Sequence, residues 1–244
     1  MKILAIEASG PVASCALCED DILVAEYNVQ YKKKHSQSLI PMLDEVRKMV
    51  DLNLSSIDVI ATTAGPGSFT GLRIGAATAK GLGLALDKPL LPVPTVDSLA
   101  CNLFGTDRLI CPIMDARRQQ VYTGIYQNTA TLVVLTPQCV VPLAEIVEKL
   151  NRICLEEHEG QEVIFLGDGV PVYKEALRDL VKVPYLLAPA HLSRQRAAST
   201  VVRAAQLYAE LGEKAFVSAD DFRPEYLRVP QAERERGDKR NYHA

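Results

Sequence analysis

The sequence predicts an α/β fold in which one unit, three strands followed by alternating helices and strands, occurs twice. Three observations carry that expectation. Short apolar runs rich in Ile and Val, bounded by Gly, Pro, Asp and Asn, read as strands. Segments with apolar residues three and four apart read as helices. The order β-β-β-α-β-α-β-α then recurs in the second half of the 244 residues. With 48% of residues apolar and 23% charged, the chain suits a folded domain with a sizeable core.

In the first half, ILAIEA (3–8) ends at the Ser9-Gly10-Pro11 turn, VASCALC (12–18) at the acidic turn Glu19-Asp20-Asp21, and ILVAEYNV (22–29) completes three strands. A helix follows over 36–50, with Leu39, Leu43, Val46 and Val50 on one face. Ile40, Met42 and Met49 lie outside that stripe, giving the helix more apolar surface than one neighbour needs. Next come the strand IDVIATT (57–63), a glycine-rich helix over 69–86, the strand LLPVP (90–94) and a short helix from Val96 to Phe104.

In the second half, LICPIMDA (109–116), QVYTGIYQ (120–127) and TLVVL (131–135) give three strands. A helix over 143–157, the strand EVIFLGD (162–168), a helix over 173–181, the strand PYLLA (184–188) and a long helix from Arg194 to Leu211 complete the set, with Ser193 as its N-cap. The expected division is a lobe at 1–105, a second at 106–220 and a tail at 221–244 whose charged end, ERERGDKRNYHA, reads as solvated and frayed. A duplicated unit of this kind is the one used by the actin-like, sugar-kinase-like (ASKHA) fold: two mixed sheets flanked by helices, with a cleft between them. A fold alone assigns no chemistry.

A net charge of −3, from 27 basic and 30 acidic side chains, argues against a protein that grips nucleic acid across a broad basic surface. It leaves open work beside a nucleic-acid-binding partner. The apolar run at the N-terminus is too short for a signal peptide, and the stretch 72–86 carries Arg73 and Lys80 and falls short of the ~20 residues of a membrane span. A cytoplasmic protein without a membrane partner is expected. The six cysteines suit buried thiols; Cys15 and Cys18, three apart in a strand, point to opposite faces and so make no redox pair.

Candidate chemistry is sparse. Glu7 closes the first strand and could face a cleft, or serve as a solvated strand-end carboxylate. GPGSFTG (65–71) opens a helix after a strand, where phosphate meets backbone N–H groups. Thr70 stands where a dinucleotide fingerprint needs its third glycine, and no Lys-Ser or Lys-Thr follows for a Walker loop, so Ser68 or Thr70 as a helix cap is the simpler reading. Gly167-Asp168-Gly169 is either a turn that approaches an adenosine or merely a tight turn. Asp115 beside Arg117 and Arg118 reads as structural. His35, His158, His191 and His243 show no metal-ligand spacing, so no metal site and no catalytic residue is assigned.

The segment 63–87 places small residues at Gly67, Gly71, Gly75, Ala79 and Gly83. In a helix, steps of four turn the face by about 40°, so these trace a slowly winding groove. Such a groove admits another backbone to short distance, offsetting poor helix propensity. Internal packing is the default reading for any glycine stripe. The other, favoured by the spare apolar surface of the preceding helix, is contact with a similar helix pair in another chain.

ILAIEAS, HSQSLIPMLDEV, AGPGSFTGLRIGAATAKGLGLAL, IMDARRQQVY, GDG and PEYLR together resemble the TsaB (YeaZ) family of tRNA threonylcarbamoyladenosine biosynthesis proteins, to about Arg228. The resemblance implies an actin-like two-lobed fold and a cytoplasmic, non-catalytic subunit. Implied partners are TsaD, which catalyses the transfer of threonylcarbamoyl to the adenosine beside the anticodon of tRNAs reading A-starting codons, and the ATPase TsaE. A homodimer is expected for the chain alone, and tRNA is met only through the complex. TsaD carries an H-x-x-x-H pair where this chain has Thr95 and Leu99, neither of which binds metal in that manner. The expected partner surface comprises Leu39, Leu43, Gly67, Gly71, Arg73, Gly75 and Ala79, and the expected weak nucleotide contacts are Glu7, Ser9, Gly167 and Gly169. No intrinsic cofactor is expected, though ATP or ADP could sit at a subunit junction. The competing expectation is an ASKHA phosphotransferase or acyltransferase using Glu7 and the two glycine turns; a peptidase lacks both metal pair and nucleophile.

Overall fold

The computed structural model describes residues 1–31, 34–157 and 160–228. His158, His243 and the charged end from residue 229 onward lie outside the described residues. Strands β1 (Lys2–Glu7), β2 (Ala13–Glu19), β3 (Ile22–Val29), β4 (Val59–Gly65) and β5 (Leu90–Pro94) form one sheet in the order β3-β2-β1-β4-β5. The first three are antiparallel; β4 and β5 run parallel to β1. β1 is central and covered on both faces, which is why Ile3 to Ile6 read as a continuous apolar run rather than an alternation. Strands β6 (Thr106–Asp115), β7 (Gln120–Asn128), β8 (Leu132–Pro142), β9 (Val163–Leu166) and β10 (Tyr185–Leu187) repeat the pattern, β8-β7-β6-β9-β10. The duplicated unit of the actin-like fold is therefore present.

Helices α1 (His35–Met49) and α2 (Phe69–Leu86) cover one face of the first sheet. α4 (Leu143–Arg152), the short α5 (Gly169–Val172) and α6 (Lys174–Leu180) cover one face of the second. The remaining helices cross over. α3 (Thr95–Ala100) follows β5 in sequence, yet its Val96 and Leu99 pack with Ile110, Met114 and Tyr126 of the second sheet. α7 (Ala197–Leu211) comes from the second half, yet its Ala197, Val201 and Ala204 cover Ile3, Ala5, Val59 and Val93 of the first. The sheets divide between Pro94 and Thr106, whereas the helices do not follow a boundary at residue 105. Below, lobe 1 is the first sheet with α1, α2 and α7, and lobe 2 the second sheet with α3 to α6.

The two exchanged helices meet in a buried polar contact. Ser98 Oγ and Thr200 Oγ1 share a hydrogen bond of 2.9 Å, and Asp97 accepts from the Tyr126 hydroxyl at 2.9 Å and from Arg203 Nε at 3.2 Å. Three expectations are corrected. Ser193 does not cap α7: its hydroxyl donates to the Ala190 carbonyl, and the helix starts at Ala197. Its first N–H groups are instead met by Ser14 Oγ (2.9 Å) and the Glu26 carboxylate (3.0 Å) from β2 and β3. Met42 belongs to the buried face of α1, leaving Ile40 and Met49 exposed. β8 continues through Pro137 to Pro142, which an edge strand tolerates because it needs hydrogen bonds on one side only.

The chain beyond α7 is packed at least to Arg228, so the expected tail from 221 is corrected too. Val217 pairs with Leu90 at the β5 edge, Phe222 is buried in the lobe 1 core, and Lys80 Nζ donates to the Asp220 and Phe222 carbonyls. Cys15 and Cys18 lie in the cores on opposite faces of the sheet. Burial pushes the thiols of Cys15, Cys101 and Cys111 up to about 12, which keeps them protonated and unreactive. Among the described residues no helix is long and apolar enough to cross a membrane.

Candidate functional site

α2 begins at the rim of the gap between the lobes. Ser68 caps it, its Oγ accepting from the Gly71 N–H (3.3 Å), while its own N–H donates to the Ser9 carbonyl (2.7 Å). From there the small-residue stripe runs along the inner side of the helix. A Cβ on Gly71 would run into the Ala8 carbonyl oxygen, and one on Gly67 into that of Ser9. At Gly75 it would lie 3.3 Å from the Ala8 Cβ, and at Gly83 3.0 Å from Leu90 Cδ2. Ala79 has no exposed surface, and Leu39 of α1 is 1% exposed. The expected partner surface is corrected accordingly: Leu39, Gly71, Gly75 and Ala79 face the protein's own sheet and the turn after β1. The backbone that approaches the glycines is internal. Of the residues expected to meet a partner, Arg73 is exposed, and Leu43 and Gly67 are half-buried. The outward faces of the two helices present Ile40 and Met49 on α1 and Phe69, Arg73 and Leu84 on α2.

Between the lobes lies an open cleft of about 470 Å³. Lobe 1 contributes Ser9 to Pro11 and Pro66 to Phe69; lobe 2 contributes Met114 to Arg118, Tyr122 and Asp168. The third side is the C-terminal segment Glu225 to Arg228. Its Glu225 N–H donates to the Ala64 carbonyl at 2.6 Å, and the Glu225 carbonyl presses on the Cα of Gly65, whose φ of +126° and lack of room both demand glycine. The Tyr226 ring lies 5.2 Å from that of Phe69, the Arg73 guanidinium stands 4.0 Å over Phe69, and Arg228 reaches across to donate to the Ala116 and Arg117 carbonyls. This strap was invisible as a structural element in the sequence; PEYLR shows there only as a motif.

Of the residues expected to touch a nucleotide, Ser9 alone lines the cleft; Glu7, Gly167 and Gly169 lie behind its wall. Glu7 has no exposed surface and sits beneath the turn, its Oε1 accepting from the Ser9 N–H (2.6 Å) and Ser9 Oγ (2.5 Å). Burial raises its pKa, and with no exposed surface its carboxyl does not reach the cleft. Gly167 and Gly169 press on the Ile113 carbonyl of β6, and Gly167 has φ +113°, so close packing explains both glycines. What faces the cleft from that turn is Asp168, whose Oδ1 finds no hydrogen-bond partner among the described residues and whose pKa burial also raises.

The turn after β6 carries the DAR motif. Asp115 Oδ1 accepts from the Arg117 N–H (2.8 Å) and the Tyr173 hydroxyl (3.0 Å), and Oδ2 pairs with the Arg117 guanidinium at 3.2 Å. Arg117, Arg118 and Gln119 all adopt left-handed φ, at 65°, 54° and 60°, a run that favours glycine and asparagine elsewhere. The exposed side chains of both arginines stand at the lip of the cleft. The chemistry on offer is cationic and aromatic at the rim, with two acids of burial-raised pKa, Asp168 and Glu7, below it.

Residues 26–236 match the family TsaD: tRNA N6-adenosine threonylcarbamoyltransferase. A Bacillus subtilis protein named tRNA threonylcarbamoyladenosine biosynthesis protein TsaB is 34% identical over 235 residues, covering 96% of each chain. An Escherichia coli protein of the same name is 33% identical over 151 residues, 57% of this chain and 64% of that one. The solved structure of YeaZ from Pseudomonas aeruginosa superposes with a TM-score of 0.75 at 25% identity, covering 92% of this chain and 99% of that one. A relative matched over nearly its whole length and a shared two-lobed fold place the identity on firm ground: the chain belongs to the TsaB (YeaZ) family.

Proposed function

We propose that this chain serves tRNA threonylcarbamoyladenosine formation as a non-catalytic subunit that docks onto TsaD and supports it, with TsaE as a further partner. The carrying observation is the fate of Thr95 and Leu99, which stand where TsaD carries its metal-binding histidines. Both are fully buried in α3, Leu99 in the apolar core against the second sheet, so the position is filled by packing. Glu7, the acid on which an ASKHA phosphotransferase would rely, is sealed under the Ser9 turn. In this reading the outward faces of α1 and α2, through Ile40, Met49, Phe69, Arg73 and Leu84, meet TsaD, and pair two copies when TsaD is absent. ATP or ADP belongs at the junction of subunits. The test is reconstitution of tRNA modification with and without this chain. TsaD and TsaE should need it for turnover, and this chain alone should transfer nothing; full activity of TsaD and TsaE without it overturns the proposal.

A further inference from the structure

Four arginines gather at the lip of the interlobe cleft. Arg117, Arg118 and Arg228 line it, and Arg73 stands against Phe69 and Tyr226, which line it too. Against them are Asp115, already paired with Arg117, and Glu225, within reach of the Gln138 amide at 3.4 Å. The lip is thus locally cationic in a chain whose formal charge is −3. Arg117 is 85% exposed, and Arg118, also exposed, forms no hydrogen bond or ion pair with the described residues. Beside them the rings of Phe69 and Tyr226 are 37% and 36% exposed, and Arg73 lies over the former.

This cationic rim does not suit a small nucleotide. Such a ligand needs enclosure and donors aimed inward. Here the N–H groups of Ser68, Gly71 and Leu72, at the start of α2, are spent on Ser9 and Ser68 within the fold, and the floor presents Asp168. An extended polyanion has the opposite requirement: cations spaced along an open edge for its phosphates, and π-faces for its unstacked bases.

We infer that this lip is a contact surface for single-stranded RNA, with Arg117 and Arg118 on phosphates and the Tyr226 ring available to a base. The inference deepens the proposed role in tRNA modification and rests on it for the choice of RNA.

The test is fluorescence anisotropy of the full chain with a labelled anticodon stem-loop RNA over a range of potassium chloride. The variant Arg117→Ala/Arg118→Ala should reduce the slope of log affinity against log salt by about 1.4, from ~0.7 per lost phosphate contact. It should weaken binding about tenfold or more at low salt. Tyr226→Ala should weaken it about fivefold or more. Lys174→Ala/Lys182→Ala, which removes two exposed cations elsewhere, should change little. An unchanged slope in the arginine variant, an equal loss in the lysine variant, or no RNA binding by the wild-type chain overturns the inference. Displacement of the RNA by ATP at far lower concentration than by unlabelled RNA overturns it in favour of a free nucleotide. Co-purification with TsaD, measured in parallel, separates the two readings: intact docking with unaltered RNA binding in the arginine variant refutes the RNA surface alone.

Discussion

The glycines of α2 predict a graded stability series. Alanine in a helix interior is favoured over glycine by about 1 kcal/mol, so the outcome at each site depends on what a methyl group meets. At Gly81, exposed and with nothing within 4 Å, Gly81→Ala should stabilise the protein by about that 1 kcal/mol. At Gly75 the new carbon would lie 3.3 Å from the Ala8 Cβ and 3.8 Å from Thr62 Oγ1. The tight contact offsets the propensity gain, leaving a net change within about 1 kcal/mol of zero. At Gly71 the obstacle is the Ala8 carbonyl, a backbone atom that cannot rotate away, so α2 or the turn after β1 must move. Overpacking of this kind costs about 1–3 kcal/mol, and the site lies in the first turn, where the propensity gain is small, so Gly71→Ala should destabilise by about 1–3 kcal/mol. Urea unfolding followed by circular dichroism measures all three, with an unchanged m-value confirming that stability alone has moved. A Gly71→Ala protein as stable as wild type, or a Gly81→Ala protein that is weaker, would refute the reasoning.

Two further outcomes follow from the buried charges. Arg203 and Asp97 are 7% and 8% exposed, so Arg203→Met leaves a carboxylate buried against the Tyr126 hydroxyl alone. A loss of about 3–5 kcal/mol is expected, much of it recovered in Arg203→Met/Asp97→Asn, which a double-mutant cycle in urea would read as coupling. Glu7 has its pKa raised by burial, so the folded chain retains a proton that the unfolded chain releases. Stability from this site is complete below the ordinary glutamate range and declines as pH rises through the raised value. Glu7→Gln should match wild type in acid and exceed it toward alkaline pH in melting temperature; a Glu7 contribution that grows with pH would contradict this.

The sheets were legible because their information is local. Strands such as ILVAEYNV need only a run of apolar and β-branched residues between turn formers, and β3 spans those eight residues. What escaped the sequence was the partner of each surface. The stripe Gly71-Gly75-Ala79-Gly83 announces a close approach, but no local pattern says that the approaching atoms belong to Ala8 and Leu90. α7 gives no capping signal near Arg196 because its caps, Ser14 and Glu26, come from strands far earlier in the chain. Glu7 reads as a strand-end carboxylate; only the folded turn shows that Ser9 closes over it. The candidate rim was half legible. The arginines after Asp115 are evident, but Tyr226 joins them through a segment with no helix or strand of its own.

The exchange of α7 has a consequence for how the protein is made. The first sheet is complete in sequence at Pro94, but the face formed by Ile3, Ala5, Val59 and Val93 stays bare until Ala197 to Ala204 have emerged from the ribosome. At about 5–20 residues per second, a gap of about a hundred residues leaves that face open for about 5–20 s. A nascent chain in that interval carries a sheet with one wet apolar side, a natural target for a holding chaperone. A message truncated before residue 197 yields the same exposed sheet permanently. The first lobe, begun at Lys2, is thus finished only by α7 and the segment through Phe222 that follows it.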